Sequence, residues 1–203
     1  MRRSQLLAIS LLLAGSAAYA DVVVQVDANT SSIDGTMGSV DFQFNPGALS
    51  FQQATVTISN FTTDGSFDGT QQDFGDVTGG PITSPITITN TDADNEDFET
   101  FTFGRTLQFD LTFSGPAVTA PNGSSLSTSV FTFSMFSDPA GTIPALTSNP
   151  NGVAAMVTVN LDGTITAQAV SPYVSVPEPT YAWLAGGALL LLGALRRRSR
   201  SIS

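Results

Sequence analysis

The sequence predicts an all-β fold, specifically an antiparallel β-sandwich that is jelly-roll-like, and two observations lead to it. Apolar residues alternate with polar ones, as in Val40, Phe42 and Phe44 of the segment SVDFQF, and this is the period of a strand with one buried face. Turn-forming residues separate such segments at short intervals, and no segment has the spacing of an amphipathic helix. A closed barrel is the second possibility.

The same alternation predicts each strand in turn. Roughly nine or ten short strands are expected. The clearest cover residues 22–26, 39–44, 55–59, 86–89, 107–113, 130–136, 153–161 and 164–170. Between the last two lies Asp162-Gly163, a dipeptide that readily adopts the two positive-φ positions of a type I′ turn. The sequence therefore predicts a β-hairpin at this point.

Composition excludes most catalytic chemistry. The 203 residues include no Cys, no His and no Lys. Catalytic triads with His, thiolate or imidazole metal sites, haem ligation and Schiff-base lysines are therefore impossible. Only carboxylate chemistry is left, and we expect the protein not to be an enzyme.

Charge divides the chain by region. Residues 21–175 contain 16 of the 17 acidic residues and a single basic residue, Arg105. The resulting net charge of about −15 repels nucleic acid, so no nucleic-acid partner is expected.

The N-terminus has the organisation of a secretory signal peptide over residues 1–20. Arg2 and Arg3 precede a short apolar run, and Ala18 and Ala20 supply the small residues that signal peptidase requires. Export by the Sec machinery and cleavage before Asp21 are expected. The alternative, an uncleaved anchor, would need about 20 apolar residues, more than are present.

The C-terminus combines an apolar run with a basic cluster. Residues 181–195 are uncharged and begin with aromatic residues, whereas residues 196–203 form a tail with four arginines, Arg196, Arg197, Arg198 and Arg200. Aromatic residues favour the headgroup level and arginines stay on the cytoplasmic side. We expect residues 181–195 to form a short transmembrane helix and the tail to be cytoplasmic. At 1.5 Å per residue this helix covers about 22 Å, so it spans a bilayer marginally.

The segment before this helix contains a short motif, Val176, Pro177, Glu178 and Pro179, within a proline-rich linker of residues 172–180. The order of Pro-Glu-Pro, apolar helix and arginine cluster resembles the PEP-CTERM sorting signal of bacterial envelope proteins. The resemblance implies that an exosortase-type membrane enzyme recognises these four residues and cuts nearby. It also implies a protein that is membrane-anchored before processing and then released to the cell surface or extracellular matrix.

The region between the two ends, residues 21–171, is expected to be the ectodomain. Its segments VDFQFNPG, VTISNFTTDG, FTFGRTLQFDLTFSGP and GVAAMVTVNLDGT, in this order, are similar to one group of PEP-CTERM ectodomains. This resemblance implies a fold and a compartment, and it implies no particular activity or cofactor.

The densest charge lies in NTDADNEDFET, where five carboxylates fall within eight residues. Calcium accepts several carboxylate and carbonyl oxygens from one flexible loop, so a calcium site is one hypothesis and a solvated acidic loop is the other. Asn90 or Asn95 could contribute to such a site, and its candidate carboxylate ligands are Asp92, Asp94, Glu96 and Asp97.

Arg105 follows Gly104, which is expected to form a bulge or turn and to leave Arg105 near a carboxylate; a ligand-binding arginine is the alternative.

Three classes of function remain for the ectodomain. In order of preference they are a structural component of a cell surface or exopolysaccharide matrix, a calcium-dependent or carbohydrate-binding module, and a carboxylate enzyme.

Overall fold

The computed structural model describes residues 21–178. The predicted signal peptide with Ala18 and Ala20, and Pro179 with the predicted transmembrane helix and its four arginines, lie outside the described residues. None of the helices within residues 21–178 could span a lipid bilayer.

Within residues 21–178, twelve strands form two antiparallel six-stranded sheets, which confirms the all-β prediction and a β-sandwich. In spatial order, the first sheet contains β12 (Val174–Ser175), β1 (Val22–Asn29), β8 (Thr106–Ser114), β3 (Thr55–Thr63), β6 (Ile86–Thr89) and β5 (Val77–Gly79). The second contains β11 (Ile165–Ala169), β10 (Val153–Val159), β9 (Ser129–Phe136), β2 (Met37–Pro46), β7 (Glu96–Thr102) and β4 (Ser66–Phe74). The helical elements of the described part of the chain are a 3-10 turn, Ser31–Ile33, and the single-turn helix α1, Pro116–Thr119.

Phenylalanine side chains fill the space between the sheets. The ring of Phe42 on β2 stacks on that of Phe133 with centroids 5.4 Å apart, and it meets the edge of Phe109 on β8 at 5.4 Å. All three rings are fully buried. Such aromatic pairs contribute about 0.5–1.5 kcal/mol each beyond the burial of their surface. The alternating residues predicted to face inward on β2 and β8 do so.

The β10–β11 hairpin is present, but the prediction of a type I′ turn is wrong. Gly163 has a positive φ of 82°, whereas Asp162 is not among the residues with positive φ. The connection is longer than two residues, because Asn160 and Thr164 pair across it and the Gly163 N–H donates to the Asn160 carbonyl at 3.0 Å. The Asp162 carboxylate accepts from the Thr164 N–H instead.

The acidic segment, expected to be a loop, is partly a strand. Glu96 and Asp97 begin β7, which pairs with both β2 and β4. At the C-terminal side, β12 lies inside the predicted linker and pairs with β1 through Ala28↔Val174 and Asp27↔Ser175. The described sandwich therefore extends to Ser175.

Candidate functional site

The C-terminal motif begins where the last strand ends. Val176, directly after β12, is half-buried against the core, whereas Pro177 and Glu178 are exposed. The two prolines of the motif cannot donate backbone hydrogen bonds, which opposes extension of the sheet beyond this point. Of the four predicted motif residues, Val176, Pro177 and Glu178 can thus be placed in the structure.

The four carboxylates predicted to bind calcium are not brought together. Asp92 and Asp94 are exposed in the loop before β7. Glu96 and Asp97 are consecutive in the strand, so their side chains point to opposite faces of the sheet. Among residues 21–178, no group of three or more acidic side chains has the arrangement of a metal site.

The side chains of the two asparagines considered as calcium ligands form hydrogen bonds with backbone groups. The Asn95 side chain accepts from the Asp76 N–H at 2.9 Å and donates to the Phe44 carbonyl at 3.1 Å. The Asn90 side chain accepts from the Ala54 N–H at 2.8 Å. Both are fully buried, and they tie the ends of strands and loops to each other.

Arg105 lies in the turn between β7 and β8 and is exposed, as the prediction of a turn at Gly104 requires. Its backbone N–H donates to Oδ1 of Asp64 at 2.7 Å, and the Thr106 N–H donates to the same oxygen at 3.0 Å. The Arg105 side chain borders an open depression of about 1040 Å³ that also includes Tyr173.

Two carboxyl groups of β7 face the interior. Asp97 and Glu99 are each 0% exposed, and they share the inner face with the core residues of β2, to which they are paired. Asp97 accepts from Gln71 at 2.7 Å, and Glu99 accepts from the Ile82 N–H at 2.7 Å. Desolvation, followed by the charge of Asp97, raises the pKa of Glu99 to about 8, and desolvation raises the pKa of Asp97 to about 7. The second oxygens, Asp97 Oδ1 and Glu99 Oε2, have no hydrogen-bond partner among residues 21–178, which favours retention of a proton by the pair.

The outer face of the second sheet carries a groove of about 680 Å³. Its floor follows from the strand register. Phe74, Glu96 and Gln43 form one row across β4, β7 and β2, and Gln72, Phe98 and Asp41 form the next. Side chains paired across neighbouring strands share a face, so the carboxyl of Glu96 has Phe74 beside it and that of Asp41 has Phe98 beside it.

A loop between β9 and β10 forms one wall of this groove. Asp138 anchors the loop: its carbonyl accepts from the Ser39 hydroxyl at 2.9 Å, and its carboxylate accepts from the backbone N–H groups of Thr142 and Ile143 at 2.9 and 2.7 Å. Gly141, at a positive φ of 68°, passes so close to the floor that a Cβ there would lie 2.7 Å from Cε2 of Phe98. These contacts hold the loop against the floor.

The loop also buries part of the floor. Asp41 is only 5% exposed although it lies on the outer face, and its Oδ1 atom has no hydrogen-bond partner. Its other oxygen accepts from the Gln43 amide at 2.9 Å. Desolvation, followed by the charge of Glu96, raises the pKa of Asp41 to about 7. Desolvation and the charge of Asp94 likewise raise the pKa of Glu96.

The groove is not evident from the sequence. Asp41 is a polar residue of the predicted strand 39–44, and Glu96 belongs to the predicted calcium loop. The two residues are 55 positions apart and become diagonal neighbours only through the β2–β7 register.

In comparisons with known protein families, with curated proteins and with solved structures, nothing matches this chain.

Proposed function

We propose that the protein is an exported structural component of a bacterial cell surface or exopolysaccharide matrix, sorted and processed at its C-terminal Pro-Glu-Pro motif. It is a substrate of the Sec machinery, of signal peptidase and of an exosortase-type enzyme, and not itself an enzyme. Before processing it is held in the membrane by residues 181–195.

The observation that carries this proposal is the position of the motif relative to the fold. The last strand ends at Ser175, and Pro177 and Glu178 are exposed directly after it. A processing enzyme could therefore bind this segment as an extended peptide without opening the sandwich. Cleavage there would leave all twelve strands on the released product.

The start of the fold supports the same proposal. The first strand begins at Val22, one residue after the predicted cleavage site. Removal of residues 1–20 would thus leave β1 complete. A domain held by packing alone, without disulfides, is compatible with export as an independent unit.

The finer description of the sandwich as jelly-roll-like is also part of the proposal. Its basis is that strands 1, 8, 3 and 6 adjoin in one sheet and strands 2, 7 and 4 adjoin in the other, so that β1 to β4 alternate between the sheets, as do β6 to β8.

The test is a pulse-chase experiment in the native host. The account expects a membrane-bound precursor that is converted into a smaller released product. A protein that stays at precursor mass in the membrane throughout the chase would contradict it.

A calcium-dependent or carbohydrate-binding surface module is the second candidate, and the groove on the second sheet favours it. Calcium binding by Asp92, Asp94, Glu96 and Asp97 stays a prediction. A ligand at 100 times its dissociation constant adds about 2.7 kcal/mol of stability, so a rise in melting temperature with millimolar calcium would support it. An unchanged melting temperature would favour the alternative hypothesis, a solvated acidic loop without calcium.

A further inference from the structure

The groove on the outer face of the second sheet contains a buried acceptor with no donor. Asp41 is 95% buried by neighbouring chain, yet its Oδ1 atom has no hydrogen-bond partner among residues 21–178. A buried carboxyl oxygen without a donor costs free energy. A ligand that brings a donor to Asp41 would remove this cost.

The charge of the groove specifies what kind of donor fits. Glu96 is a diagonal neighbour of Asp41 on the same face, and the lining residues include no Lys or Arg. The single cation of the described chain, Arg105, borders the other depression. The groove is lined by three carboxyls, Asp41, Asp73 and Glu96, without a counter-charge, so it repels an anion and favours a cation. An ammonium group offers three donors and one positive charge, so it can satisfy Asp41 and Glu96 at once.

The size and the apolar parts of the groove show that a bare ion would not fill it. The groove has a volume of about 680 Å³, within the range of sites for organic ligands. Phe74 is 63% exposed and lies beside Glu96, and Phe98 lies beside Asp41. Each carboxyl thus has a phenyl ring next to it. Such a pair of surfaces fits a ligand that carries ammonium groups on rings with apolar C–H faces.

We propose that this groove binds an oligosaccharide with free amino groups, with an ammonium between Asp41 and Glu96 and sugar faces against Phe74 and Phe98. The choice of a polysaccharide over a basic peptide rests on the proposed matrix function, whereas the preference for a cation rests on the groove alone.

Calorimetry tests the proposal with the full chain purified in detergent and a glucosamine hexamer as the probe. The account expects saturable binding at low salt. The N-acetylated hexamer, which has the same rings without the charge, should bind at least ten times more weakly.

Variants assign the binding to the groove. Glu96→Gln and Asp41→Asn should each weaken binding about tenfold or more, and Phe74→Ala, at an exposed edge position, should weaken it while leaving the thermal melt unchanged. Asp34→Asn, at an exposed site in another part of the chain, is the matched control and should bind like wild type.

Three results would overturn the proposal: no heat of binding at millimolar glucosamine hexamer, equal binding of the N-acetylated hexamer, or tighter binding of hexalysine that depends on the same residues. Because the assay uses purified protein, it is independent of sorting. Failure of processing in the host would contradict the proposed export route, but it would not change the binding measured at the groove.

Discussion

Asp97 and Glu99 lie two residues apart on β7, and both carboxyl groups face the interior between the two sheets. Each accepts one hydrogen bond, from Gln71 and from the Ile82 N–H respectively, and each has one oxygen without another donor. A pair of buried carboxyls in this arrangement is stable when it holds a proton and costly when both groups are ionised.

This pair predicts that the protein is more stable at acidic pH than at mildly alkaline pH. Carboxyls of an unfolded chain titrate near pH 4, whereas burial raises the pKa of Asp97 to about 7 and that of Glu99 to about 8. Between these values the unfolded chain has lost protons that the folded chain keeps. The contribution of this pair to the free energy of unfolding is therefore fully present below about pH 4 and is lost as the pH rises toward 8. Thermal melts from pH 4.5 to pH 8.5 should show a falling Tm.

A neutral replacement for the protonated carboxyl should reduce this dependence. In Glu99→Gln, the amide oxygen can still accept from Ile82 and the amide nitrogen can donate to Asp97. We expect a gain on the order of 1–3 kcal/mol, or several degrees in Tm, at pH 8 and little change at pH 5. Asp34→Asn, at an exposed acid, is the control and should follow the wild-type curve. If Glu99→Gln melts at a lower temperature than wild type at pH 8, the pair does not hold a proton.

Alanine variants of two glycines can distinguish the effect of packing between the groove wall and its floor from the effect of backbone strain. Gly141 and Gly35 both have positive φ, but a Cβ at Gly141 would press on Phe98 whereas one at Gly35 would meet nothing within 4 Å. Gly35→Ala should cost only the left-handed backbone penalty, about 1–2 kcal/mol. Gly141→Ala should cost more and should displace the wall from the floor. Urea unfolding of both variants provides the comparison, and equal losses would contradict the close packing of the wall.

Strands with strict alternation could be predicted from the sequence, and the others could not. β8 places Leu or Phe, and the middle of β2 Val or Phe, at every second position, so their core faces are evident. β4 is a largely exposed edge strand with the sequence SFDGTQQDF, which has no apolar period. β7 was missed because Asp97 and Glu99 occupy inward positions where an apolar residue is expected.

The C-terminal motif was evident from local order alone, whereas the groove was not. Its floor depends on the register of β2 with β7 and of β7 with β4, and its wall on a loop that returns over Asp41. Neither the register of distant strands nor the path of a loop is encoded in a short motif. The place of Asp41 in this groove is therefore evident only from the tertiary structure.

The mature protein is predicted to begin at Asp21. Ala18 and Ala20 satisfy the small-residue requirement of signal peptidase, and β1 starts at Val22. N-terminal sequencing of envelope or secreted material should therefore read DVVVQ. Retention of Met1 or Arg2 in that material would show that residues 1–20 are not removed.

The basic tail is predicted to fix the orientation of residues 181–195. Replacement of Arg196, Arg197, Arg198 and Arg200 by Gln should let the tail cross the membrane, because positive charge beside a span opposes translocation. A protease-accessible epitope placed after Ser203 reports the side on which the tail lies. An epitope that stays protected in the variant, as in wild type, would contradict this role of the arginines.

Processing at the Pro-Glu-Pro motif can be followed by the intact mass of the protein in the native host, for wild type and for the variant with Ala at Pro177, Glu178 and Pro179. We expect a released wild-type product that begins at Asp21 and ends near the motif, without residues 181–203. We expect the triple-Ala protein to keep those residues and to stay in the membrane fraction. A triple-Ala protein that is shortened and released like wild type would show that the motif is only a linker.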